Sequence, residues 1–545
     1  MRAGRVTAGA GAVAVALAIG LGELLAGLAA SVPSPVDAVG QTLIPRFPGA
    51  LTNWAIATFG GANRAVLTGA IVVVALLFGA AAGAVARSLP SVPVLVFVAA
   101  GVLGILAARN QPGALLVTVL PAYAIAVGAG LAALRRALRA IDAPAQVPSA
   151  QVPSDQVPSV QDPGEQGPRD RTGPEEVART RHDVVGPAAI SRRVVLGTLG
   201  GVAAAAVAVG SLGRWVLGGG PVTQPTELSL PQPRTSLPDI TSAQDASTQI
   251  DGLSPVLTPT DRFFRIDTAL SVPRVDPDTW QLRVTGMVDR ELELTLDDLL
   301  DEPLQEVDVT IACVSNEVGG DLIGTARWLG FPLADLLERA GVQDGATQVV
   351  GRSIDGWTAG FPTQIAFDRR DTIIAVGMNG EPLPARHGFP ARLIVPGLFG
   401  YVSATKWLAE VELTTWEGYD AYWIPRGWAK EGPIKTSSRI DVPRNGERVA
   451  TGEVVVGGVA WAPTRGISDV HLAVDDGEFG ATELIPPLGE NTWVQWRTTV
   501  TLEAGEHELT VRAVDGDGQL QSEGPQPPAP DGAEGWHRRK VRVQA

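Results

Sequence analysis

The sequence predicts a multidomain chain: an α-helical transmembrane bundle, then an α+β domain, then an all-β sandwich. Three observations carry this expectation. The first 220 residues hold several uncharged apolar runs of bilayer length. From about residue 255 the apolar runs shorten to strand size and are separated by glycine-bearing turns. The charge divides at the same place. Residues 1–220 carry 16 Arg, no Lys and 10 acidic residues, and residues 221–545 carry 27 basic and 48 acidic ones. So acidic a second half excludes nucleic acid as the natural partner, because a phosphate backbone calls for a positive surface.

The membrane part, 1–140, is expected to hold four spans, near 8–30, 66–86, 91–109 and 113–133, with a fifth near 194–217 inside the segment 191–220. Gly and Ala are abundant in them, and small residues let helices approach closely in lipid. Arg2 and Arg5, Arg87, Arg135, Arg136 and Arg139, and Arg192 and Arg193 all fall on one side if the N-terminus is cytoplasmic. Arg46, Arg64 and Arg109 are exceptions on the other side. The fifth span then exits, so everything after about 220 is expected outside the cytoplasm.

Residues 141–190 contain "AQVPSAQVPSDQVPSV", a Pro-rich polar repeat that buries too little surface to fold, and are expected to be a disordered linker. The fifth span opens with "SRRVVLG". This suits either a twin-arginine export signal or an ordinary basic flank. Residues 221–254 read as an extended linker.

Over 255–430, "TWQLRVTGMV", "LELTLDDLL" and "VDVTIACV" predict short strands and a short helix. "WLGFPLADLLERAGV" has helical spacing, with Leu333, Leu336 and Leu337 on one side. "TQVVGRSIDGWTAGFP" reads as strand, turn, strand, and "ARLIVPGLFGYVSATKWLAEVELT" as strand, loop, strand. Such a mixture is α+β rather than parallel α/β. Residues 431–545 alternate apolar and polar positions between turn signals, as in "GEVVVGGVAWAP" and "GEHELTVRAVDGDGQ", the pattern of a β-sandwich.

Cys313 is the single cysteine. It has no partner within the chain for a disulfide, and one thiol cannot hold a four-thiolate iron–sulfur cluster. As an isolated residue it is either a small buried hydrophobe or a thiolate ligand. No CxxCH haem attachment site occurs, and the first histidine, His182, lies beyond the first four spans. No haem is therefore expected, and electrons must pass to a separate electron-transfer partner.

The stretches "FFRIDTALSVPRVDPDTWQLRVTGMV", "TIACVSNEVGG", "WLGFPLADLLERAGV", "NGEPLPARHGFPARLIVPGLFGYVSATKWLAEVEL" and "RGWAKEGPIKTSSRIDVP" together resemble the sulfite oxidase family of molybdopterin-dependent oxidoreductases. The last domain is similar to the immunoglobulin-like domain that follows the catalytic domain in that family and often dimerises, so a homodimer is expected.

The resemblance implies a molybdenum–molybdopterin cofactor with Cys313 as metal ligand and catalytic residue. Oxidised molybdenum takes soft sulfur, and the pterin supplies all but one of the sulfurs needed, so one protein thiolate suffices. His387 and Arg392 match pterin-contacting positions, and Ser403 and Lys406 match the loop that receives the phosphate end. Arg265 aligns with an active-site arginine that helps bind the anion, and is expected to serve both catalysis and cofactor. Asp267, Asn316 and Arg352 complete the expected cofactor-binding set. Arg352 and Asp355 share the turn "GRSIDGW", where structural work is the alternative.

The chain departs from the sulfite enzymes at Ile266 and Asp267, at Glu317 and Val318, and at Trp428. The site is thus expected to lose positive charge and gain carboxylates, which counts against sulfite itself. The expected activity is two-electron oxygen-atom transfer outside the cytoplasm on a small oxyanion or oxide, by a multi-pass membrane protein. The rival from another class is a non-catalytic membrane-anchored binding or adhesion protein that uses its β-sandwich.

Overall fold

The computed structural model describes residues 2–29, 31–47, 51, 54–55, 58–59, 63–109, 111, 114–142, 192–219 and 228–544. They form two compact units. The first comprises Met1–Leu24, Val72–Leu103 and Pro121–Ser211, and the second Leu25–Ile71, Gly104–Leu120 and Leu212–Ala545.

The N-terminal helices are α1 (Arg2–Leu28), α2 (Pro35–Leu43), α3 (Asn63–Val85), α4 (Ser91–Ala108), α5 (Leu116–Asp142) and α6 (Arg192–Gly219). Among the described residues, Gly4–Leu28, Asn63–Val85, Ser91–Ala108 and Leu116–Ile141 are long and apolar enough to cross a membrane, and they coincide with the first four expected spans. Helix α6 covers the fifth. Most of the expected Pro-rich linker, and Ser191 of "SRRVVLG", lie outside the described residues. Within the first unit, Ala10, Ala14, Phe97 and Leu134 form a small apolar core. Helices α1 and α3 meet backbone to backbone, since a Cβ on Gly11 would lie 2.0 Å from the Gly79 carbonyl oxygen.

The second unit opens with a helix that was not expected. Ser34 caps α2, its Oγ accepting from the Asp37 N–H at 3.1 Å, and Pro35 supplies a fixed φ in the first turn.

The α+β part uses strands β1 (Gln281–Gly286), β2 (Leu292–Thr295), β3 (Gln305–Ala312), β4 (Ile323–Pro332), β5 (Gln348–Ser353), β6 (Thr358–Pro362), β7 (Ile373–Met378), β8 (Glu381–Pro382), β9 (Arg392–Ile394) and β10 (Leu408–Thr414). Helices α7 (Leu296–Leu300), α8 (Leu333–Ala340) and α9 (Gly400–Ser403) lie between them. One sheet runs β2-β1-β10-β5-β6, with β1 and β10 parallel. The other runs β3-β4-β7-β8, with β9 added on β7, and its strand pairs are antiparallel. The apolar stripe of α8 buries Leu333, Leu336 and Leu337 in a core shared with Trp328 and Phe331.

Strands β11 (Ser437–Val442), β12 (Arg448–Ala450), β13 (Gly452–Trp461), β14 (Ile467–Val474), β15 (Gly480–Ala481), β16 (Glu483–Leu484), β17 (Val494–Leu502), β18 (Gly505–Asp515) and β19 (His537–Gln544) follow. They form two sheets, β11-β13-β17-β16 and β12-β19-β18-β14-β15, around an apolar core that includes Val456, Trp496 and Val511. Two ties fix this part to β3: Thr310 N–H donates to the Asn491 carbonyl at 2.9 Å, and Trp493 N–H donates to Thr310 Oγ1 at 2.7 Å. Residues 228–254 form no named strand, yet they are built onto the unit. Arg234 N–H donates to Leu304 O, and Ala246 N–H donates to Gln495 Oε1.

Candidate active site

Strand β3 ends at Ala312, and the next residue is the lone cysteine. Cys313 is buried, and its Sγ accepts from the Ser315 N–H at 3.4 Å. Burial pushes the thiol upward from its ordinary value, opposed by the Ser315 hydrogen bonds and the charge of Lys406. The loop from 313 to 322 is closed by its own groups. Cys313 N–H donates to Leu322 O, Asn316 N–H donates to Cys313 O, and Asn316 Oδ1 accepts from Leu322 N–H at 2.8 Å.

The β-sandwich covers the other side of this loop. Arg439 donates to the Gly320 carbonyl and pairs with Asp441 at 2.7 Å. Gly319, at φ +77°, lies so close to His537 that a Cβ would sit 2.2 Å from its ring.

His387 and Arg392 are both buried. His387 Nε2 lies 3.1 Å from the Thr260 carbonyl and 3.3 Å from Arg386 Nε. Whichever tautomer is present, Nδ1 is buried without a hydrogen-bond partner among the described residues. Burial, with Arg392, Lys406 and Arg386 nearby, pushes His387 down to about 3, so the ring is neutral at physiological pH. Arg392 Nη1 donates to the His387 carbonyl at 3.0 Å, and its guanidinium lies 5.1 Å from the Trp328 ring centre. Its Nε is also buried and unpartnered among the described residues, and burial lowers the group to about 9. Gly388, at φ +118°, lets this segment lie against Lys406, since a Cβ there would come within 3.2 Å of the Lys406 backbone.

Asp267 gathers the cations. Lys406 Nζ donates to its Oδ2 at 3.1 Å, Arg265 Nε donates to the same oxygen at 2.8 Å, and Arg64 Nη2 donates to Oδ1 at 3.0 Å. Burial opposes ionisation, but Lys406, Arg265 and Arg64 hold the carboxyl down at about 2. Lys406 is itself pushed down to about 8 by burial, with Asp267 resisting and Arg392 adding to the fall. Asp355 lies within electrostatic reach of Asp267 and Lys406, and burial raises its carboxyl.

The structure therefore brings Cys313, Arg265, Asp267, His387, Arg392 and Lys406 into one neighbourhood. Three residues of the expected cofactor-binding set are engaged otherwise. Asn316 spends its side-chain oxygen on bracing the cysteine loop. The Ser403 hydroxyl donates to the Phe399 carbonyl at 3.0 Å. Arg352 donates to Glu412 at 2.6 Å, lies over the Tyr419 ring, and touches none of the cluster around Asp267.

Positive charge nonetheless outweighs negative around Asp267. Glu317 is exposed, and Asp267 is an ion-pair centre rather than an unopposed carboxylate. Arg64, Arg265, Arg386, Arg392 and Lys406 stand against Asp267 and Asp355, so cations predominate. Sequence reasoning missed Thr260, whose signal was nil, and Arg386, which adjoins His387 in "PARHGF". It counted Arg64 only as an exception to the charge bias. Trp428 packs beside Tyr401 and Trp423, with ring centres 5.9 and 6.2 Å apart.

This donor set suits a molybdopterin. A lone thiol offers the soft ligand, two buried orphan nitrogens offer contacts to a heteroatom-rich ring, and the surplus of cations suits a phosphate.

Comparison with known proteins agrees. Residues 269–423 match the oxidoreductase molybdopterin binding domain, a stretch that includes Cys313, Arg352, His387, Arg392, Ser403 and Lys406 and begins just after Asp267. Human mitochondrial sulfite oxidase is 32% identical over 308 residues, covering 48% of this chain and 56% of that protein. Chicken sulfite oxidase (Gallus gallus) is 31% identical over 319 residues, covering 49% of this chain and 68% of that protein. An NADH nitrate reductase of tomato (Solanum lycopersicum) is 33% identical over 178 residues, covering 28% of this chain and 19% of that protein. The chain thus spans little more than half the length of the human relative. It belongs to the sulfite oxidase family of molybdopterin-dependent oxidoreductases.

Proposed function

We propose that the chain is a multi-pass membrane protein whose catalytic part faces outside the cytoplasm and performs two-electron oxygen-atom transfer on a small oxyanion. The observation that carries this is the pairing of one buried thiol, Cys313, with the unpartnered His387 Nδ1 and Arg392 Nε beside a cation-rich cluster. When bound, the molybdenum cofactor supplies the oxygen-atom transfer itself. In the oxidative direction the oxygen comes from water, two electrons leave for a separate carrier, and two protons go to solvent.

The chain's own residues hold and tune. Cys313 is the metal ligand. Burial disfavours its thiolate, and a bound cation reverses that preference. His387, neutral, presents Nδ1 to the pterin, and Arg392 presents Nε. Lys406, with two of its donors engaged by Asp267 and the Arg386 carbonyl, would have its third for the phosphate end of the cofactor. Arg265 faces the substrate side, with its guanidinium 33% exposed. Asn316 and Arg352 act as braces of the cysteine loop and of the "GRSIDGW" turn, and Ser403 as a brace of α9.

The arginine bias supports the extracytoplasmic orientation, and "SRRVVLG" supports twin-arginine export with the cofactor installed beforehand. The C-terminal sandwich is proposed to be immunoglobulin-like and to serve a homodimer. The relatives' names concern sulfite and nitrate, both oxyanions, which supports that substrate class. Nothing in the comparisons supports the binding-protein alternative.

Metal and pterin analysis of the purified full-length protein tests this. About one molybdenum per chain, with oxygen-atom transfer to sulfite or from nitrate in the presence of an artificial carrier, is expected. A folded chain that carries neither metal nor pterin after expression in a molybdopterin-producing host refutes it.

A further inference from the structure

Arg64 opens α3, one of the helices of membrane-crossing length, yet its guanidinium sits on Asp267. Arg265 approaches the same carboxylate from the other oxygen, with Lys406 beneath it. The buried side is filled by Asp267 and Lys406, whose side chains are 6% and 10% exposed, whereas Arg64 and Arg265 remain 36% and 33% exposed. Arg64 uses only Nη2, and Arg265 only Nε, in hydrogen bonds among the described residues. The other N–H groups of both guanidinium groups have no hydrogen-bond partner among the described residues, and both side chains are about one-third exposed. Asp267 balances only one of the charges of Arg64, Arg265 and Lys406, and Asp355, the other carboxylate in reach, is buried and raised. Two arginine edges fixed on one carboxylate with charge left over make a receptor for an oxyanion, because planar guanidinium forks match its oxygens.

We propose that Arg64 and Arg265 form an oxyanion-binding pair in which the membrane part of the chain supplies half of the substrate site, with Asp267 setting the spacing of the two arginines. The membrane part is then a contributor to specificity as well as an anchor. Only the identity of the bound anion as substrate rests on the proposed function.

The test uses the full-length protein in detergent, wild type and the variants Arg64→Gln, Arg64→Lys and Arg265→Gln. Redox-inert sulfate is the probe, its dissociation constant measured by calorimetry at several salt concentrations, and molybdenum and pterin content are measured alongside. Arg64→Gln should weaken sulfate about tenfold, as loss of one charge-assisted contact does, and flatten the salt dependence, with cofactor content unchanged. Arg64→Lys should lose less, because the charge remains and the fork goes. Arg265→Gln should match Arg64→Gln.

Wild-type affinity in Arg64→Gln overturns the proposal, as does a loss of cofactor in that variant, which would assign Arg64 to cofactor retention. An anionic lipid phosphate is the rival occupant. If sulfate binding is abolished in phosphatidylglycerol nanodiscs but intact in phosphatidylcholine ones, the substrate assignment fails. A molybdenum-free chain that still binds sulfate through Arg64 sinks the redox function and spares the pair; a molybdenum-loaded chain that ignores sulfate does the reverse.

Discussion

Replacing Asp267 by Asn keeps the shape of the side chain and removes the charge on which Lys406, Arg265 and Arg64 converge. The magnitude follows from the carboxyl's own titration. Its fall from 3.8 to about 2 corresponds to about 2 kcal/mol of preference for the ionised form in the folded state. Because the folded value is depressed, that stability is fully present above about 4 and is lost as pH falls through about 2. At neutral pH Asp267→Asn should therefore lower the melting temperature of the catalytic part by about 4–8 °C. The gap from wild type should be widest near pH 5 and narrow both in strong acid, as Asp267 is protonated, and toward pH 8, as Lys406 loses its proton. Lys406, deprived of the partner that resists its fall, should drop below its present value of about 8 and shed charge near neutrality. Tryptophan fluorescence melts across pH, on wild type, Asp267→Asn, Lys406→Met and the double variant, supply the assay. Additive effects of the two substitutions, or an Asp267→Asn melt within a degree of wild type at pH 7, would refute the ion-pair reasoning.

Four further outcomes are expected. Cys313→Ser should keep the fold, abolish turnover and change the visible absorption of the metal; undiminished turnover with an unchanged spectrum would reduce the thiol to packing. His387→Phe should release pterin, detectable by its fluorescence after oxidation, while the wild-type pH–rate profile between 5 and 8 shows no histidine step, since His387 stays neutral down to about 3. Gly319→Ala should cost more than about 2 kcal/mol, from a positive φ and a Cβ driven into His537, read as a lowered melting temperature of the apoprotein. Protease added to intact protoplasts should cut the chain after residue 220 and spare 141–190; the opposite pattern would invert the topology.

The regular elements were legible where periodicity is strong. The stripe Leu333, Leu336 and Leu337 announces α8, and the alternation in "GEVVVGGVAW" announces β13, because burial on one face writes itself into the spacing. Helix α2 was not read, although Ser34 and Pro35 are a start signal, because nine residues carry too few turns to show a period. At the site, Cys313 stood out by being alone and His387 by its motif. Arg64 had no local signature, since its partner lies some two hundred positions away and only the folded chain joins them. The ion-pair role of Asp267 was hidden for the same reason: only the folded chain places Lys406, Arg265 and Arg64 around its carboxylate. Arg352 shows the converse. Its guanidinium goes to Glu412, a partner on the neighbouring strand β10 that the turn motif does not reveal.

The hold of Arg439 and His537 on the 313–322 loop makes the cysteine loop depend on residues far along the chain. Every residue proposed to hold the cofactor lies at or before position 406, but the loop carrying Cys313 gains its outer wall only when strands β11 and β19 are in place, and β19 begins at His537. A nascent or truncated chain ending near residue 430 would contain the whole ligand set and still lack the finished loop. Such a fragment would be a poor stand-in for the protein in any test of cofactor binding, because its cysteine loop would lack the Arg439 and His537 contacts that brace it.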